Sequence, residues 1–422
     1  MRFLPLFLAL LRVTPLASAD DDITVRVRLL DRERPATVSV RAVQGQADLV
    51  VDGRLILTLA PGASAAVELS GGRVTARAFS SIESGALVTV RPHAGASLEL
   101  LAGRIARPYR GEIEFFHHER SLAIVNVVPL DDYVSSVIPA EYPFPEIEGV
   151  KAQAVLIRTY VLKQQGRYGR HDVVDHVGSQ VYRGIESETP LARQAADITR
   201  GEVLTHGGNL IEAVYYSSSG GHTADNESIW DGAPLAYLRG RPDPFDGNSP
   251  LHRWNENVDR DRLLRALTRH YGFNVSGISV DRTSPEGRVT SVRIHGARER
   301  VEQANRFRLT VNDLLGRQVL KSTFFTLERR GNTYAFSGRG FGHGVGMSQY
   351  GAREKAKQGF DYLDILSFYF RGVTLERRAP LEAPEPLMAD APPPVHMEPR
   401  PTATVRAVSS GDSRDRSRRS GW

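Results

Sequence analysis

The stretch that most constrains this chain covers residues 129–162, PLDDYVSSVIPAEYPFPEIEGVKAQAVLIRTYVL. Its second half predicts a long helix over about residues 146–165. Val150, Ala154, Ile157 and Val161 form one apolar stripe, and Val155, Leu156 and Leu162 fall elsewhere on the wheel, so the helix is expected to be buried. Lys151 and Arg158 lie on one line of it. A buried arginine needs an anionic partner, which Glu141, another internal acid or a bound ligand could supply. The first half starts a shorter helix, with Asp131 or Asp132 as N-cap and with Tyr133, Val134, Val137 and Ile138 at its apolar positions. Pro139 and Pro143 keep it short, because each ring removes a donor and clashes with the preceding turn. Glu141 is therefore expected in an irregular segment after it, where a carboxylate can project into a cleft.

Around this stretch the chain divides by pattern. Residues 1–19 resemble a secretory signal: Arg2, an apolar run over residues 3–11, and Ala17-Ser18-Ala19 before Asp20. That run is too short to span a bilayer. Residues 20–106 alternate apolar and polar side chains as half-buried strands do, and Asp52-Gly53 and Gly71-Gly72 sit where hairpin turns belong. They predict a small all-β module. Residues 112–116 and 122–128 form a further hairpin across His117 and His118. Adjacent strand residues point to opposite faces, which favours a solvated turn there over a metal site.

After the long helix, residues 171–182 read as a loop entering a strand. Residues 191–199 read as a helix, and residues 201–216 as a hairpin across Gly207-Gly208-Asn209. That hairpin ends in Ser217-Ser218-Ser219-Gly220-Gly221-His222. No G-x-S-x-G is present and no acid is placed to orient a histidine, so a polar loop is expected whose groups bind a ligand or cap one another. Trp230, Tyr237, Phe245 and Trp254 follow in loops, either to stack on a ligand or to pin the loops. Residues 259–271 predict a helix, 289–294 and 307–311 strands, 312–315 a short helix, and 323–327 and 334–337 strands. GRGFGHGVGMSQYG at residues 338–351 is not a phosphate loop, since no Gly-Lys-Ser/Thr follows. Glycines beside His343 expose its edges, which suits a ligand contact. Helices are expected over residues 349–357 and 362–370.

Residues 377–422 are rich in proline, serine and arginine, a composition that predicts disorder. Residues 400–422 carry +4 of the net charge of +5, so the other residues together carry about +1 and nucleic-acid binding is not expected. The basic end either touches an anionic wall or membrane surface or simply solubilises the chain. There are no cysteines, which excludes thiolate chemistry and cysteine-bound zinc.

Three stretches together resemble the stage II sporulation protein D family, also called SpoIID/LytB. They are YRGEIEF with NVVPLDDYVSSVIPAEYP and VKAQAVLIRTYVL, then AVYYSSSGGHTADNESIWDGAPLAYL with the later DPFD and Trp254, then GRGFGHGVGMSQYGAREKAKQGFDYLDILSFYF. They span roughly residues 109–375, within a catalytic domain expected over 107–376. The resemblance implies a lytic transglycosylase cleaving peptide-free peptidoglycan strands. The alternative it leaves is a non-catalytic wall-binding protein that assists a cell-wall amidase. The glutamate of the A-E-x-P motif falls on Glu141, the implied acid/base, and Tyr142 stands where methionine is usual. The arginine and tyrosine of the A-R-T-Y segment fall on Arg158 and Tyr160, and the glutamine and tyrosine of C-Q-V-Y on Gln180 and Tyr182. With Ser217, Ser218, Gly220, Gly221, His343, Ser348, Gln349 and Tyr350 they make up the implied glycan-binding set. Some members carry a cysteine/histidine zinc site before C-Q-V-Y. Here Val174, Gly178 and Ser179 cannot reproduce it, so neither metal nor other cofactor is expected. The fold class is α+β: mixed strands with a few helices around a groove, plus the β module and the tail. The location implied is secreted, periplasmic or cell-envelope.

Overall fold

The computed structural model describes residues 23–378. The expected signal segment and nearly all of the expected tail lie outside the described residues. The fold is α+β. It opens with strands β1 (Thr24–Leu29), β2 (Thr37–Gln44), β3 (Ala47–Val51), β4 (Arg54–Leu59), β5 (Ser64–Ser70) and β6 (Arg73–Ala78). Then come β7 (Ser81–Gly85), β8 (Leu87–Pro92), β9 (Ser97–Ala102), β10 (Ile105–Tyr109), β11 (Glu112–His118) and β12 (Ser121–Pro129). Alternation sets their faces: Val38, Val40 and Ala42 of β2 are buried while their neighbours point outward. Asp52-Gly53 and Gly71-Gly72 make hairpin turns with positive φ, as expected.

The sheets do not respect a boundary at residue 106. One sheet has the order β13-β1-β12-β11-β8-β3-β4, where β13 is Val173–Val174, and the other has the order β10-β9-β2-β5-β6-β7. Strand β1 pairs antiparallel with β12 from Thr24↔Pro129 to Leu29↔Ile124. The two sheets pack face to face and share one apolar core, with Val25 and Val27 from the first and Val40, Val67 and Val74 from the second.

Strand β12 runs directly into α1 (Leu130–Glu141), followed by α2 (Ile147–Lys163) and α3 (Pro190–Ile198). Helix α2 is buried from Gly149 to Leu162 apart from Lys151, as its composition predicts. Pro129, not Asp131 or Asp132, is the N-cap of α1, and no side chain caps it. Both aspartates are instead taken by arginines. Asp131 pairs with Arg158 at 2.8 Å and Arg200 at 3.2 Å, and Asp132 with Arg193 at 2.7 Å. Residues 171–182 give only the short β13, and beyond it the chain is irregular.

One-turn helix α4 (Asn226–Ile229) leads into a unit with its own core. Helices α5 (Arg260–Tyr271) and α6 (Ala304–Leu315) and two three-stranded sheets close around Trp254, Leu263, Phe307, Val311 and Phe336. The expected strand at residues 307–311 is therefore part of a helix. Phe307, Val311 and Leu315 recur every fourth position on its buried face. The chain then returns to the first core through Val345 and Met347, α7 (Gln349–Lys357) and α8 (Tyr362–Tyr369), and ends on Thr374–Arg377, paired with Glu202–His206. Among the described residues no helix is long and apolar enough to cross a membrane.

Candidate functional site

Helix α1 does not stop at Pro139. It continues to Glu141, and Tyr142 N–H donates to Ile138 O at 2.7 Å. The proline sits in the last turn, where one missing donor leaves the remaining hydrogen bonds intact. Glu141 is thus the final residue of a rigid helix that leads out of the sheet. Tyr142 turns inward against Gly149, where a Cβ would lie 2.0 Å from the tyrosine oxygen. The departure at Tyr142 is accommodated by that glycine. Phe144 packs edge-on to Tyr142 and to Tyr350, with ring centroids at 4.9 and 5.0 Å. Arg353 covers Phe144 and pairs with Glu146 at 3.2 Å. The connector between α1 and α2 is held on α7 in this way.

The Glu141 carboxylate is half-buried. It accepts the Val181 N–H at 2.8 Å and a hydrogen bond from the Tyr215 phenol, and among the described residues no charged side chain is its partner. Burial pushes its pKa above the usual glutamate range, against these two hydrogen bonds. Gln180 sets the direction of the network. Its Oε1 accepts from Tyr133 at 3.0 Å and its Nε2 donates to the Tyr215 oxygen at 3.1 Å, which leaves the Tyr215 proton for Glu141. The Gln349 side-chain amide donates to the Glu141 carbonyl.

The expected hairpin strand at 214–216 leaves its hairpin. Tyr215 and Tyr216 pair in parallel with Met347 and Ser348, which brings the serine-glycine loop against the glycine-rich loop. His343 fixes this junction. Its Nε2–H donates to Tyr215 O at 2.9 Å, and its Nδ1 accepts from Val345 N–H at 3.2 Å. Both ring edges, expected to face a ligand, are used by main chain. The ring lies between Tyr216 and Trp230, and burial drives its pKa down to about 3.

At the far end of the loop stands Asp246, fully buried. It accepts from Ser218 Oγ at 2.7 Å, Ser219 N at 2.9 Å, Gly220 N at 2.8 Å and Ser348 Oγ at 2.7 Å. His252 Nδ1 lies 3.2 Å away. An acid does orient a histidine here, contrary to expectation. Ser218 is nevertheless bonded to the acid and not to the histidine, so no nucleophilic triad is assembled. Arg288 reaches in from the second core, is fully buried, and donates to Ser219 O at 2.8 Å and His222 O at 2.6 Å. A Cβ on Gly344 would lie 2.8 Å from its guanidinium carbon. Only glycine fits there.

Other implied binding residues turn inward. Arg158 is fully buried on Asp131, Ala196 O and Glu202 O, so the partner left open by the sequence is an internal acid. Tyr182 is buried and donates to Asn126 at 2.7 Å, stacked on Tyr133 at 5.3 Å. Tyr160, Gln180, Ser218, Gly220 and Ser348 are buried too, while Ser217, Gly221, Gln349 and Tyr350 remain half-exposed. Tyr215, Asp246 and His252 were not singled out as site residues, because their roles depend on contacts distant in sequence. No residue of this cluster lines the cavity of about 650 Å³ at the junction of the two sheets and α1. Among the described residues no group of three or more acidic or histidine side chains is placed to hold a metal.

Residues 118–206 match the family described as SpoIID, stage II sporulation protein, and residues 243–346 match a domain of unknown function, DUF8618. The second match covers most of the unit with its own core. Stage II sporulation protein D of Bacillus subtilis is 30% identical over 269 residues, 60% of this chain and 75% of that protein. An uncharacterized protein of Brachyspira hyodysenteriae is 31% identical over 275 residues, 63% and 72% of the two chains. The amidase enhancer of Bacillus subtilis is 29% identical over 287 residues, 57% of this chain and 40% of its own. By these matches and the motifs that carry them, the chain belongs to the stage II sporulation protein D family.

Proposed function

We propose that the protein is a lytic transglycosylase of the cell envelope, acting on peptidoglycan glycan strands with Glu141 as acid and then base. The observation that carries this reading is the Glu141 carboxyl itself: half-buried, raised in pKa by burial, oriented by Val181 and Tyr215, and without a charged partner among the described residues. Protonated Glu141 gives its proton to the glycosidic oxygen. The bond from the muramoyl anomeric carbon to that oxygen breaks, and its electron pair leaves with the departing sugar. The muramoyl 6-hydroxyl then attacks the same carbon and returns its proton to Glu141. The product is a 1,6-anhydro end, and no water is consumed. A hydrolase needs a second carboxylate to act as nucleophile or to activate water; this route needs one.

The runner-up comes from the relative named amidase enhancer: a wall-binding protein that assists an amidase without cleaving glycan. Mass spectrometry of products from purified, peptide-free strands separates the two. Anhydromuramoyl ends are expected, and Glu141→Gln should lower their rate by ~10²–10⁴-fold with strand binding retained. Binding without products would leave the enhancer reading, and full turnover in Glu141→Gln would remove that residue from the mechanism.

A further inference from the structure

We propose that His252 is a second glycan-contacting side chain, held by buried Asp246 so that its outer nitrogen is a bare acceptor beside Gly221. The proposal takes its ligand from the glycan reading above. A carboxylate oxygen only accepts, so the 3.2 Å contact places a proton on His252 Nδ1. In the neutral ring Nε2 then carries a lone pair. No partner takes it among the described residues, and the side chain is 25% exposed. His343 is the reverse case, with both nitrogens occupied.

The ring is fixed from three sides. Its main chain is tied at both ends, N–H to Ser249 O at 3.0 Å and O to Gly340 N at 3.2 Å. Its inner nitrogen is on Asp246, whose other partners hold the carboxylate in place. Its edge lies against Gly221, where a Cβ would stand 3.7 Å from Cε1. An acceptor locked before the ligand arrives loses little freedom on binding. The ligand group it suits is a neutral donor, a sugar hydroxyl or an acetamido N–H. Asp246 behind the ring disfavours an anion.

The acceptor shares its supports with Glu141. Ser348 bonds Asp246, and its neighbour Gln349 bonds the Glu141 main chain. Tyr215 bonds the Glu141 carboxylate, and Ser218 on the same segment bonds Asp246. From Tyr215 to Gly221 the chain reaches at most about 20 Å. The proposal requires one strand of a few linked sugars to touch both groups.

The test uses the full chain with ¹⁵N-labelled histidine in the Glu141→Gln background, so that ligand is not consumed. Peptide-free glycan oligosaccharides of defined length are titrated in. The His252 Nε2 resonance is expected to move as it gains a hydrogen bond, with Nδ1 nearly still. His252→Ala should weaken binding by ~5–10-fold, the effect of one such bond, with its near-ultraviolet circular dichroism unchanged. A His252 signal that stays put at saturation overturns the proposal, as does a folded His252→Ala that binds like its parent. If the parent binds and shifts His252 but wild type makes no anhydro ends, the transglycosylase reading falls and this proposal stands. If wild type makes those ends while His252 is indifferent, only this proposal falls. If no strand binds at all, both fall.

Discussion

His343 and Glu141 occupy one junction, and burial moves their proton affinities in opposite directions. His343 is held neutral, its pKa lowered from 6.5 to about 3 by burial. Between those values the unfolded chain binds the extra proton, so the contribution of His343 is full above 6.5 and is lost as pH falls toward 3. His343→Asn should be less stable than wild type by about 1–3 kcal/mol at neutral pH, having lost bonds to two main-chain groups. The gap should narrow on acidification to about pH 5, which denaturant midpoints at the two pH values will check. Glu141 runs the other way, because its folded pKa is raised from 4.5. The native state holds the proton longer, so stability declines as pH rises from there through the raised value. Above that window Glu141→Gln should melt no lower than wild type, and thermal melts across pH would reveal the difference. A carboxyl placed for chemistry is expected to cost the fold something.

Helix α1 does two tasks along its length. Its first turn is locked to α2 and α3 through Asp131, Asp132, Arg158 and Arg193, and its last turn presents Glu141. Arg158 belongs to the first task. Removing one member of a buried pair leaves the other's charge poorly compensated. Arg158→Met is expected to lower stability by about 3 kcal/mol, read from denaturant unfolding, while the folded protein keeps the proposed glycan affinity. Loss of affinity at unchanged stability would restore Arg158 to the binding set. Both helices around Glu141 were legible in the sequence from their apolar spacing. The end of α1 is not legible from Pro139, which reads as a stop but in a last turn forfeits only one bond. Helix α6 is obscured by β-prone Phe307, Thr310 and Val311, although Phe307, Val311 and Leu315 keep a four-residue spacing. Gln303 caps its start and Gly316, with φ of 66°, ends it.

Over the whole molecule, the two sheets and the three helices around Glu141 share one core, and the unit matching DUF8618 closes around another. The strands before residue 106 are therefore part of the body that holds the site. A chain trimmed to residues 107–378 would lose β1 from the edge of β12 and β8 from the edge of β11. It would also expose the core face that the second sheet covers. It is expected to lack a cooperative thermal transition and near-ultraviolet signal, and a sharp two-state melt of that fragment would contradict this shared-core account. The second core meets the site through Arg288, which ties its hairpin to the serine-glycine loop.

The sequence by itself determined the periodicities, and so the strands, the buried helix and the choice of Glu141 as the carboxylate to follow. Those are local properties, written in spacing of two or about four residues. Which hydroxyls, amides and imidazoles are taken by internal partners was decided by the tertiary structure alone. Asp246 gathers Ser218, Ser348 and His252 from three separate segments, and His343 spends both nitrogens on main chain. A buried polar group takes whichever partner the packing brings within reach, and that partner stands at no fixed distance along the chain.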